Sequence, residues 1–172
     1  MDPLEKLARE TAARQGLDPA LVCAICEQET HWNPWLTRYE SVYHNSQVVL
    51  GEAAKFAPRA PYTVSIATET ICRCLSWGLM QVMGQTAREI GYRAPLAQLC
   101  DPAAGLEWGC QKLGRCLVMK HGDVRAAVAL YNGARDPSLS RYDDEVLARM
   151  GKYQPPVVAG RPAVDIGLLE GK

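Results

Sequence analysis

Net charge is what this sequence has least of. Nineteen Lys and Arg offset nineteen Asp and Glu over 172 residues, so no overall basic field is available to drive nucleic-acid binding. Long apolar runs are missing too. Even the densest patch, Leu21 to Cys26, falls far short of the roughly 18 residues a membrane span requires. Histidine is scarce, and His31, His44 and His121 make no compact ligand set, so neither metal nor cofactor is expected. No candidate nucleophile sits in a strand–turn–helix elbow, which argues against a Ser-His-Asp or Cys-His hydrolase. The opening MDPLEKLARE has neither the basic nor the apolar region of a secretory signal. Work outside the cytoplasm would then need lysis, a dedicated apparatus or a separate leader.

What is present suits one folded domain. Hydrophobic types make up 48% and charged types 22%, and the length is enough to bury a core without metals or disulfides. Seven cysteines are an odd number, so at least one cannot pair within the chain. Cys23 and Cys26 form a CxxC and Cys72 and Cys74 a CxC. Both pairs fall in stretches that read as helical, without zinc-knuckle turns and without a preceding βαβ pattern. Small buried thiols filling a helical core are the expectation.

The fold class expected is mainly α. Leu4, Leu7, Ala8, Thr11 and Ala12 follow a 3.6-residue period over Pro3 to Gln15, and Gly16 supplies a stop. Asp18 and Pro19 open a second helix that ends before Asn33-Pro34. From Pro34 to Thr63 periodicity fades into long loops with a short helix at Gln47 to Phe56, and Thr63 to Leu75 reads as helical. Ser76 to Gly84 is a compact apolar segment, followed by a helix over Gln85 to Ile90. Asp101-Pro102 starts a longer helix ending before His121-Gly122, Asp123 caps another through Tyr131, and Ser140 to Lys152 forms the last. Residues 1–154 are read as one domain. Residues 155–172, rich in Pro and Gly, are read as an extended tail lying along it.

Glu29 is out of place. It follows Ile25 by four residues and Leu21 by eight, so a helix sets all three on one apolar face, while Glu27 points elsewhere as a solvated carboxylate. A carboxyl on such a face is costly when charged, and its pKa should rise. That is the state a glycosidase's general acid requires. Position alone favours a helix-end carboxylate reaching water or a partner such as Arg38.

Four motifs in order bear on that choice. Glu29-Thr30-His31-Trp32-Asn33-Pro34 resembles the E-S-x-F/W-N-P motif of the soluble lytic transglycosylases, the lysozyme-like family related to goose-type lysozyme. Ser76-Trp77-Gly78-Leu79-Met80-Gln81 resembles its G-L-M-Q block, Asp101 to Trp108 its D/N-P-x-x-N-I helix start, and Ala129-Leu130-Tyr131-Asn132-Gly133 its A-x-Y-N-A-G block. The resemblance implies a lysozyme-like helical domain with a substrate cleft, cutting the β-1,4 bond between N-acetylmuramic acid and N-acetylglucosamine in peptidoglycan. It implies Glu29 as the single catalytic acid, Gly78, Leu79, Met80 and Gln81 along the cleft, and Tyr131 and Asn132 beside the acid. The 2-acetamido oxygen would assist, the C6 hydroxyl would attack, and a 1,6-anhydro end would result.

Two features depart from the pattern. Thr30 stands where the family has Ser, keeping the hydroxyl. The stretch from Glu29 to Gly78 is long, with an irregular insertion from about Trp35 to Leu75 expected to wall the cleft and to set which strand length or peptide decoration fits. It contains Arg38, Tyr39, Glu40 and Glu69. If Glu40 or Glu69 faced Glu29, either could activate water and make the enzyme a hydrolytic muramidase. Tyr39 and Ser76 join the substrate-binding candidates, and Trp32, Trp35 and Trp77 are candidates for sugar stacking. The partners expected are peptidoglycan glycan strands, met by a monomer. A non-catalytic glycan-binding module is the competing class.

Overall fold

The computed structural model describes residues 1–43, 46–134 and 141–154. In chain order these form α1 (Pro3–Arg14), α2 (Pro19–Thr30), β1 (Thr37–Tyr39), α3 (Gln47–Phe56), α4 (Ile66–Arg73), β2 (Leu75–Trp77), β3 (Val82–Met83), α5 (Gly84–Glu89), α6 (Pro102–Met119), α7 (Val124–Tyr131) and α8 (Tyr142–Tyr153). The mainly α class is as the sequence predicts. The proposed tail, residues 155–172, lies outside the described residues.

One capping rule starts four helices. The carboxylates of Asp2, Asp18, Asp101 and Asp123 accept from the N–H groups of Leu4, Ala20, Ala104 and Ala126 at 2.8–3.0 Å. Each satisfies a donor that has no partner within the helix. In three of them Pro occupies the first turn, where its missing N–H is harmless.

Helix α2 is the centre of the core. Leu21, Val22, Cys23, Ala24, Ile25 and Cys26 are all buried, so this helix is enclosed on every side. All seven cysteines are free thiols and six are buried. Burial pushes the Cys23 and Cys110 thiols up to about 12, which suits small apolar filler and not reactive thiolates.

Helix α8 is fastened along α2. Lys152 Nζ and Tyr153 Oη donate to the Glu27 carboxylate at 2.5 and 2.7 Å. Gln28 reaches Glu145 at 2.6 Å, and Trp32 Nε1 donates to Tyr153 Oη at 3.1 Å. The sequence expectation of a solvated Glu27 is therefore corrected. Its carboxyl is an anchor between two helices, held below the usual carboxylate range by these donors.

The three strands form an antiparallel sheet in the order β1-β2-β3. Two or three residues per strand are too few to show alternation in sequence, which is why only helices and loops were expected there. The register places Arg38 opposite Ser76, and Ser76 opposite Met83. These three share one face, while Tyr39 and Trp77, one residue along, belong to the other.

The turn between β2 and β3 is held tightly. Gly78 has φ +66°, and a Cβ there would lie 2.1 Å from the Leu99 carbonyl oxygen. A Cβ at Gly109 on α6 would lie 2.3 Å from Met80 Sδ. Glycine at 78 thus serves close contact with the Leu99 backbone. Gly78→Ala adds a left-handed penalty to this collision and should lower stability by about 3 kcal/mol. A fall in the urea midpoint at unchanged slope is the expected reading.

Candidate active site

Helix α2 stops abruptly. His31 and Trp32 both take left-handed backbone, with φ of 49° and 66°, an uncommon state for residues with a Cβ. Glu29 therefore lies in the last turn, where the enclosed helix reaches the surface. It opens onto a groove of about 570 Å³.

The sheet face described above makes one wall of that groove, through Arg38, Glu40, Ser76 and Met83. Helix α6 contributes Lys112, Arg115, Cys116 and Met119, whose spacing of three and four puts them on one side. Tyr131 and Asn132, at the end of α7, also line it. Motifs far apart in sequence thus meet around one carboxyl.

That carboxyl accepts from Tyr142 Oη at 2.6 Å through its Oε1. Burial raises its pKa above the ordinary 4.5. The Tyr142 hydrogen bond and the charges of Lys112 and Arg38 pull the other way, and Glu40 adds to the rise. Lys112 Nζ stands 3.8 Å from the centre of the Tyr131 ring, a cation–π arrangement. Burial lowers its pKa to about 8, opposed by the charge of Glu29.

The loop under the acid is pinned from both sides. Thr30 Oγ1 donates to the carbonyls of Cys26 and Leu79, and Tyr131 Oη donates to the Met80 carbonyl at 2.6 Å. Gln81 Nε2 donates to the carbonyls of Leu36 and Gly78. Among the described residues Gln81 Oε1 is buried without a hydrogen-bond partner, and the residue lines the groove. Its lone pairs are open to a donor from water or from a molecule in the groove.

A family model described as Transglycosylase SLT domain matches residues 6–141. The chain belongs to this family. Members of the SLT family are lytic transglycosylases, which cleave glycosidic bonds in peptidoglycan. Comparison with curated proteins and with solved structures found no match. Peptidoglycan lies outside the cytoplasmic membrane, so SLT domains act there. Among the described residues no helix is long and apolar enough to cross a membrane.

Within this SLT domain the predicted site residues separate clearly. Glu29, Glu40, Ser76, Gln81, Tyr131 and Asn132 come together on the groove. Leu79 and Met80 do not line it; they are buried, with the Met80 carbonyl tied to Tyr131. Gly78 meets Leu99 instead. Tyr39 is not among the groove residues, because strand alternation sets it on the face opposite Arg38 and Ser76.

Glu69 is the largest correction. It is 1% exposed and accepts from Arg73 Nε at 2.9 Å and from Arg88 Nε and Nη2 at 2.8 and 3.1 Å. It lies within the insertion, on α4, with both oxygens engaged, and does not line the groove. The tryptophans also leave the site. Trp77 is buried with Nε1 on the Cys72 carbonyl, Trp32 engages Tyr153, and Trp35 is 72% exposed away from the groove lining.

Two residues that act directly on Glu29 escaped the sequence reading, Lys112 in the groove lining and Tyr142 behind the carboxyl. Lys112 gave a legible signal, since a lysine between Gly109 and Cys116 on the apolar side of α6 is as anomalous as Glu29. Tyr142 gave none. It passes for an ordinary core position of α8, and its partner is 113 residues earlier.

Proposed function

We propose that this SLT domain is a monomeric lytic transglycosylase using Glu29 as its only catalytic acid and base. The bond cut is that between N-acetylmuramic acid and N-acetylglucosamine. The observation that carries this reading is a groove carboxyl whose pKa burial raises, hydrogen-bonded by Tyr142 and faced by the charge of Lys112.

Protonated Glu29 gives its proton to the glycosidic oxygen as the C1–O bond breaks, and the bonding pair leaves with that oxygen. The neighbouring 2-acetamido oxygen shares the positive charge at C1. The C6 hydroxyl then attacks C1 and passes its proton to the Glu29 carboxylate, restoring the acid. No water enters the product. Tyr142 orients the carboxyl throughout, and Gln81 Oε1 is available to a sugar N–H or O–H.

The other groove carboxylates are engaged, which supports one-carboxylate chemistry over hydrolysis. Glu40 accepts from Arg38 Nε at 2.5 Å, and Glu89 accepts from Gln85 Nε2 at 2.8 Å.

Mass spectrometry of products released from purified peptidoglycan tests the reading. Ends lighter by one water than the reducing sugar are expected, and reducing ends alone would overturn it. Glu40→Gln should keep the anhydro product. Tyr142→Phe should lower kcat by roughly 10- to 100-fold, because the acid loses its orientation. It should also move the alkaline limb of the pH profile upward, since the lost hydrogen bond favoured the carboxylate.

A further inference from the structure

The insertion does more than wall the groove. Helix α3 and the turn after it close over α4 and α5, leaving a second cavity of about 740 Å³. Its lining includes five cationic side chains, Lys55, Arg59, Arg73, Arg88 and Arg93, against two carboxylates, Glu52 and Glu89. Glu69 beneath adds a third negative charge. The five cations therefore exceed the three carboxylates by two.

Three of those cations gather on one ring. The guanidinium carbons of Arg88, Arg73 and Arg93 lie 4.2, 5.6 and 6.0 Å from the centre of Phe56, the one phenylalanine in the chain. Arg73 and Arg88 are held by Glu69, and Lys55 by Glu52 at 2.9 Å. Arg93 Nη1 donates to two backbone carbonyls. Arg59 is exposed and has no hydrogen bond or ion pair among the described residues. A concave site with surplus positive charge on a fixed scaffold is built for an anion.

Position narrows the anion. Glu89 lines both this cavity and the catalytic groove, so the cavity borders the path of a bound strand. A polymer in the groove meets it with what hangs from the sugars.

We propose that this cavity is a subsite for the carboxylates of the peptides borne by the glycan, with Arg59 as its open contact. The proposal rests on the peptidoglycan-cleaving reading above. It makes the insertion a device for preferring peptide-bearing over bare strands. Carboxylate held by guanidinium in a partly enclosed site is a strong charge-assisted pairing.

Two measurements separate this subsite from the catalytic reading. Co-sedimentation in a Glu29→Gln background, where cutting does not intervene, compares peptide-bearing glycan, the same glycan with its carboxylates amidated, and glycan stripped of peptide. Peptide-bearing glycan should bind tightest. Arg59→Glu should weaken it by roughly 5- to 10-fold while leaving the other two unchanged. With native Glu29, product release should show the same substrate order through KM.

Equal binding of all three glycans, or an Arg59→Glu effect of equal size on each, overturns the subsite even if product forms. Arg59-dependent binding without product overturns the catalytic reading and keeps the subsite. A preference that survives amidation overturns the carboxylate assignment.

Discussion

Glu29→Gln is expected to lower product release from peptidoglycan by roughly a thousandfold or more, the scale of a lost general acid, with the fold intact. The amide keeps the size of the side chain and an oxygen that can accept from Tyr142, but it has no proton to give. A structural carboxylate would behave differently, because its loss would disturb folding and activity together.

The same substitution carries a stability signature of definite sign. The folded chain holds the Glu29 proton more tightly than the unfolded one, since burial raises the pKa above 4.5. The associated stability is complete below that ordinary value and is lost as pH rises through the folded-state pKa. Glutamine has no such loss. At pH 7 Glu29→Gln should therefore melt higher than the native chain, as active-site replacements commonly do. Below about pH 4 the gain should vanish. Thermal melts at the two pH values check this, and a variant less stable at pH 7 would contradict it.

Glu69→Gln should act in the opposite way. It leaves the guanidinium groups of Arg73 and Arg88, 3% and 2% exposed at their side chains, without the charge that offsets their burial. Removing one partner of such a cluster costs about 3–5 kcal/mol, on the order of a 10 °C fall in Tm for a chain of this length. Cleavage measured well below that melting point should be nearly unchanged, because Glu69 does not line the groove. A selective loss of activity in a stable variant would return Glu69 to the catalytic group.

Helices were legible where local chemistry decides them. An Asp followed closely by Pro or an apolar run sets a helix start whatever surrounds it, so the starts at Asp18, Asp101 and Asp123 could be read directly. Glu29 was legible because a charge on an apolar face conflicts with burial. The sheet was not legible. Its strands are defined by pairing between residues some forty positions apart, such as Arg38 with Ser76, and that pairing sends Tyr39 away from the groove. Glu69 misled for a related reason. Its four-residue spacing to Arg73 was visible, but the second cation, Arg88, comes from a different helix.

The link from Tyr142 to Glu29 joins the start of α8 to the end of α2 across most of the described chain. With Glu29 as the proposed acid, reactivity is a global property of this molecule. The acid is tuned only when its last helix is seated, so loosening of that helix detunes the chemistry while the interior around α2 is still whole. Catalytic output thus serves as a gauge of how completely the two distant segments have come together.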